Sequence, residues 1–122
     1  MIPDFDPLRA VHYCERDPGV VDWTKDDRIA IDLDHPLDSD RILTPNVIHM
    51  AGGYRMYYTG LGPERRDPDA LGYILSALSD DAVTWRKDPG VRVDLFPPYA
   101  SARTLCPDVI PLSDGSYRMY FE

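Results

Sequence analysis

With 122 residues, the chain is long enough for one ordinary domain and too short for two. Its apolar and charged fractions, 43% and 28%, match those of folded globular proteins and exclude wholesale disorder. A formal charge of −8 argues against a nucleic-acid partner, which needs a basic stripe against phosphate, and equally against an anionic membrane surface.

The chain begins MIPDFDPLRAVHY, with Asp4 and Asp6 where a secretory signal would carry a basic region ahead of an apolar run. No segment approaches the ~18 apolar residues of a membrane span. Cys14 and Cys106 are two distant cysteines, which fits reduced thiols and a cytoplasmic location better than a disulfide framework. A first strand is predicted around Tyr13 to Glu15, and Asp17-Pro18-Gly19 turns the chain towards a strand carrying Trp23.

Next comes the acidic run from Asp32 to Asp40. Its hard oxygens invite a calcium reading, but it lacks the Gly and terminal Glu of an EF-hand loop, and Pro36 interrupts the spacing. A solvated acidic loop is the expectation. Pro45 to Met50 is a short apolar run, Ala51-Gly52-Gly53 a turn, and Tyr54 to Tyr58 alternates with period two, so these segments predict a hairpin. In its second strand Tyr54, Met56 and Tyr58 share one face. Gly60, Gly62, Pro63 and Pro68, with the charged patch Glu64 to Asp67, predict a loop. A third strand follows from Gly72 to Leu78, and the turn Ser79 to Ala82 delivers Trp85 into a fourth.

The pattern then repeats. Trp23 and Trp85 stand 62 residues apart, and at that offset 13 of the 28 positions from Val21 to Ile48 are identical in Val83 to Ile110. One extra residue enters the turn, Ser113 to Ser116, before Tyr54-Arg55-Met56-Tyr57-Tyr58 is matched by Tyr117-Arg118-Met119-Tyr120-Phe121. Repeat one runs over about 13–74 and repeat two, incomplete, over 75–122. Four antiparallel strands per ~60 residues, with prolines that exclude a helical solenoid, predict an all-β chain of β-propeller blades. The phase of the repeat predicts one complete four-stranded blade flanked by two half-blades, whose unpaired edges call for more chain or for self-association.

Two motifs carry more specific information. Ser79-Asp80-Asp81-Ala82-Val83-Thr84-Trp85 resembles the S-x-D-G-x-x-W turn of carbohydrate-active propellers, with Ala82 in place of Gly. Its role there is structural, with Ser and Asp bonding local amides and Trp packing between sheets. Cys106-Pro107-Asp108-Val109-Ile110, followed by Asp114-Gly115 and Tyr117 to Phe121, resembles the blade signature of the five-bladed propeller glycosidases of family 43 and the invertase-like superfamily. The resemblance spans nearly the whole chain as a blade pattern.

That resemblance implies an innermost strand beginning at Asp108, whose carboxylate faces a central channel and serves catalysis by tuning the catalytic acid. At the equivalent position of the first repeat stands Asn46, which has no proton to exchange but hydrogen-bonds sugar hydroxyls. Arg41 and Arg103 precede the two inner strands and are candidates to bind substrate or to pair with Asp108. The chain departs from the family in having no Trp before Pro107, no N-terminal Asp motif of the nucleophile or base type and no assignable partner Glu. Glycoside hydrolysis needs two carboxylates about 5–9.5 Å apart, and one is placed here.

No cofactor or metal motif is present: His12, His35 and His49 lack zinc spacing, and no phosphate-cradling Gly-rich loop or G-x-S-x-G elbow occurs. The expectation is a partial glycosidase-like propeller, with a carbohydrate as its ligand, that binds or hydrolyses a glycoside. The alternatives are a non-catalytic carbohydrate-binding module that closes a ring by oligomerisation, and an inactive truncated fragment.

Overall fold

The computed structural model describes residues 11–15, 24–66 and 69–122, and these are all-β. Eight strands follow in chain order. They are β1 (Val11–Glu15), β2 (Thr24–Ile31), β3 (Arg41–Met50), β4 (Gly53–Arg66), β5 (Asp69–Ser79), β6 (Arg86–Lys87), β7 (Asp108–Pro111) and β8 (Tyr117–Tyr120). Each pairs antiparallel with at least one sequence neighbour, and the described residues form three sheets ordered β1-β2, β3-β4-β5-β6 and β7-β8. The two-four-two division follows the phase of the sequence, and the sheets do not close on one another. Trp23 lies outside the described residues. Among the described residues no helix is long and apolar enough to cross a membrane.

The central sheet shows how the composition is used. Its core comprises Ile31, Ile42, Met56, Tyr58, Leu75 and Ala77, with Leu33, Leu37, Tyr73, Trp85 and Val91 packed at its margin. Met56 and Tyr58 point to the same face because strand side chains alternate, and that face is buried. Where β4 passes under neighbours on both sides, from Tyr58 to Gly62, every residue is buried and the alternation disappears.

Two sequence expectations change here. The stretch from Gly60 to Arg66 is the second half of a 14-residue strand and no loop: Leu61 pairs with Gly72, and Arg65 with Ala70 beyond a register shift. The glycines serve close approach. A Cβ on Gly62 would stand 2.2 Å from the carbonyl oxygen of Pro36, and one on Gly60 would stand 2.9 Å from Cβ of Asp38. Side chains there would hold off the Asp32–Asp40 loop, which lies directly on β4. The fourth strand is also less than expected. β6 spans two residues, and the rest of the β5 edge is covered in pieces, with Asp88 N–H donating to Ser76, Arg92 N–H to Ile74, and Thr104 N–H to Gly72. Short covering segments leave no long open edge on that side.

The acidic loop departs further from expectation, because Asp38 is completely buried. Lys87 makes this tolerable. Its Nζ donates to the Asp38 carboxylate at 2.7 Å, to Asp34 at 2.6 Å and to the Asp32 carbonyl oxygen at 2.6 Å. Tyr58 Oη donates to Asp38 Oδ2 at 3.1 Å, and His35 N–H donates to Oδ1 at 3.2 Å. A buried carboxylate persists only when paired and hydrogen-bonded, and here both conditions are met. Burial, and then the neighbouring Asp38 charge, push the Tyr58 hydroxyl far up, so it remains a donor. The ammonium sits among the loop oxygens, where the calcium reading of the sequence would have put a metal. No group of three or more His, Cys, Asp or Glu among the described residues is arranged to hold one.

The turn from Ser79 to Trp85 folds as its resemblance implies. Asp81 Oδ1 accepts from Val83 N–H at 2.9 Å and Thr84 N–H at 2.8 Å, and Ser79 Oγ bonds the same oxygen at 3.0 Å. Ala82, standing where the motif has Gly, takes φ +62°.

Candidate functional site

The two equivalent residues of the repeat, Asn46 and Asp108, meet. Asn46 Nδ2 donates to Asp108 Oδ1 at 3.1 Å, and Asn46 Oδ1 accepts from Val109 N–H at 3.1 Å. A backbone N–H can only donate, so the second bond fixes which way the amide points and leaves its NH₂ to the carboxylate. Asn46 thereby staples β3 to β7, strands of different sheets. Its partner across β3–β4 is Tyr57, and that of Asp108 across β7–β8 is Tyr120. The correspondence of the two registers puts each polar residue opposite a tyrosine.

Backbone strain precedes both residues. Thr44 has φ +49° and Cys106 φ +54°, each immediately before the proline that precedes Asn46 or Asp108. Left-handed backbone at a β-branched threonine costs of order 1–3 kcal/mol and persists only where surroundings enforce it. The enforcing residue is Thr59, which is fully buried. Its Oγ1 lies 3.0 Å from Thr44 Oγ1 and accepts from Cys106 N–H at 2.9 Å. On β3 the consequence is a bulge. Leu43 pairs with Thr59 and Asn46 with Tyr57, so Thr44-Pro45 carry one residue more than the facing strand. Bulges of this kind re-aim the following side chain, and here that side chain is Asn46.

Asp108 is exposed and Asn46 half-buried, so the carboxylate keeps Oδ2 and the amide keeps one hydrogen for a ligand. No second carboxylate is hydrogen-bonded to this pair among the described residues. Cys106, a free cysteine beside it, has its thiol pushed up by burial and then by the Glu122 carboxylate. A thiol held protonated is a poor nucleophile.

The arginines go elsewhere. Arg103 forms its ion pair with Asp69, not with Asp108. Arg41 is exposed at the start of β3 and makes no ion pair among the described residues. A shallow cavity of about 310 Å³ lies at the turn end of the β3–β4 hairpin, between Met50–Arg55, Leu78–Asp80 and Arg86. None of the candidate site residues Arg41, Asn46, Arg103 and Asp108 lines it. Sequence reasoning missed Thr59, which carries no motif, and the Asp38–Lys87 pair, for which one signal existed: Lys25 and Lys87 are identical in the two repeats.

Comparison with family models, with curated proteins and with solved structures returns no match.

Proposed function

We propose that this chain is a propeller-type unit that binds a carbohydrate at the Asn46–Asp108 pair, with β3–β6 as one blade and β1-β2 and β7-β8 as half-blades. The observation that carries the reading is the direct hydrogen bond between these two residues on neighbouring sheets, with Asp108 exposed, Asn46 half-buried and each opposite a tyrosine. An amide and a carboxylate with spare lone pairs and a spare N–H suit the mixed donors and acceptors of sugar hydroxyls. Tyr120, more than half exposed, supplies a flat apolar face for a pyranose or furanose ring. The negative charge favours a neutral or cationic sugar over an acidic one.

Binding is favoured over hydrolysis because the pair contains one carboxylate, whereas glycoside cleavage generally requires two. The resemblance to family 43 and invertase-like glycosidases supports the blade architecture more than it supports turnover. A panel of neutral and amino-sugar oligosaccharides, assayed for binding by calorimetry and for released reducing ends, tests the reading. Saturable binding that Asp108→Ala weakens is the expected result. Absence of binding across the panel would sink it. Turnover that Asp108→Asn abolishes without loss of stability would transfer the site to the hydrolase reading.

A further inference from the structure

Arg55 stands near the start of β4, directly opposite Leu78 of β5, which in turn stands opposite Arg86 of β6. Residues directly opposite in neighbouring strands share a face, so the two arginines flank Leu78 on one side of the sheet. That side faces away from the Met56–Tyr58 core, because Arg55 alternates with Met56. Both arginines line the cavity of about 310 Å³ at the turn end of the β3–β4 hairpin. Its rim is a close approach. A Cβ on Gly53 would stand 2.5 Å from the carbonyl oxygen of Ser79, so the glycine lets the hairpin turn close against the Ser79 turn.

The protein leaves these guanidinium groups largely unused. An arginine carries five N–H donors, and among the described residues none of those on Arg55 makes a hydrogen bond. Its Nε is buried without a partner. Its ion-pair partner Asp88 keeps Oδ2 3.6 Å from Nη2, beyond hydrogen-bond reach, and that oxygen already accepts from Ser76 Oγ at 2.6 Å. The Arg55 side chain is 25% exposed, so it is open to a ligand on the cavity side. Arg86 makes one long bond, 3.4 Å to Asp80 Oδ2, and both of these side chains are exposed. A pair so exposed is weak, and Arg86 exchanges it for a better acceptor at little cost.

We propose that this cavity binds a small organic monocarboxylate, its two oxygens on Arg55 and its charge shared with Arg86. The planar carboxylate matches the guanidinium fork and accepts two parallel N–H bonds from it. The lining holds two arginines against one carboxylate, Asp80, which leaves one positive charge for a monoanion. A dianion such as phosphate would meet both Asp80 and the chain's net charge of −8. Met50, Ala51 and Leu78 offer apolar contact to the carbon part of the ligand. The volume lies at the lower end of the ~300–1,000 Å³ usual for ligand sites, which suits a molecule of about one ring. The inference is independent of what the Asn46–Asp108 pair binds.

The test is an NMR titration of the full chain, at neutral pH and low ionic strength, with three probes: benzoate, benzyl alcohol and inorganic phosphate. Benzoate is expected to bind saturably and to shift the signals of Arg55, Leu78 and Arg86, whereas benzyl alcohol, which has the same ring without the charge, and phosphate are not. Arg55→Lys keeps the charge and loses the fork, and should weaken benzoate about tenfold. Arg86→Gln should weaken it about two- to fivefold, and Asp80→Asn should tighten it by a similar factor. A gain of affinity cannot come from a damaged fold. Arg118→Gln, at the position of β8 that matches Arg55 in the repeat, should change nothing. The proposal is overturned if benzoate does not bind, or if benzyl alcohol or phosphate binds as tightly. Benzoate affinity that neither Arg55→Lys nor Asp80→Asn alters would overturn it as well.

Discussion

Nζ of Lys87 lies 2.7 Å from Oδ2 of the completely buried Asp38, and joins β6 to the loop that precedes β3. Removing the cation would leave a carboxylate in the interior without a counter-charge. Lys87→Met is therefore expected to destabilise the fold by about 3–5 kcal/mol, whereas Asp34→Asn, at the exposed arm of the same cluster, should cost at most about 1 kcal/mol. The Lys87 hydrogen bond also holds the Asp34 carboxyl below its ordinary range. Stability from that arm is present above the ordinary carboxylate pKa and is lost as pH falls below it. Urea unfolding of both variants at neutral and acid pH checks the ordering.

The Ser79–Trp85 turn contains a correctable strain. Ala82 holds φ +62°, and left-handed backbone costs an L-residue roughly 1–2 kcal/mol, against the 0.4–1 kcal/mol that a glycine loses in chain entropy. Ala82→Gly should raise stability by about 0.5–1 kcal/mol, read as a higher denaturation midpoint with unchanged slope.

In the same turn Asp81 is lowered to about 2 by the Thr84 and Val83 amides and then by Ser79. Its folded value lies below the unfolded 3.8, so its contribution is complete above that value and disappears as pH falls through about 2. Asp81→Asn should flatten the acid limb of a Trp fluorescence titration between those two values.

Of the described glycines, Gly62 leaves the least room for a side chain, because the acidic loop lies against it. The clash that a side chain would meet is with backbone, at the Pro36 carbonyl oxygen, which cannot rotate away. Gly62→Ala should cost about 1–3 kcal/mol, and hydrogen exchange should locate the loosening in the Asp32–Asp40 loop. An unchanged denaturation midpoint would mean that the loop does not lie against β4.

Asn46 is the cleanest probe of the proposed binding site, because it carries no charge. Asn46→Ala removes both the ligand-facing amide and the staple to Val109 N–H, and should weaken sugar binding about tenfold, roughly 1–1.5 kcal/mol. Calorimetric titration beside the thermal midpoint separates loss of the contact from loss of the fold.

Most of the strand inventory was legible in the sequence because it depends on local rules. Period-two alternation in Tyr54–Tyr58, the glycines at the tight turn and the 62-residue offset define the hairpins and their order, and each is a property of near neighbours or of self-similarity. The same offset named Asn46 and Asp108 as equivalent positions. That they touch, that Thr59 enforces the left-handed backbone at both Thr44 and Cys106, and that Asp38 is buried under Lys87 were decided only by the tertiary structure. These contacts join residues from 15 to 62 positions apart. Their energies depend on which groups lose water together, and no local pattern records that. Gly60 and Gly62 show the same division: in sequence they read as a loop, and only the approach of a distant loop explains why a long strand needs residues without side chains.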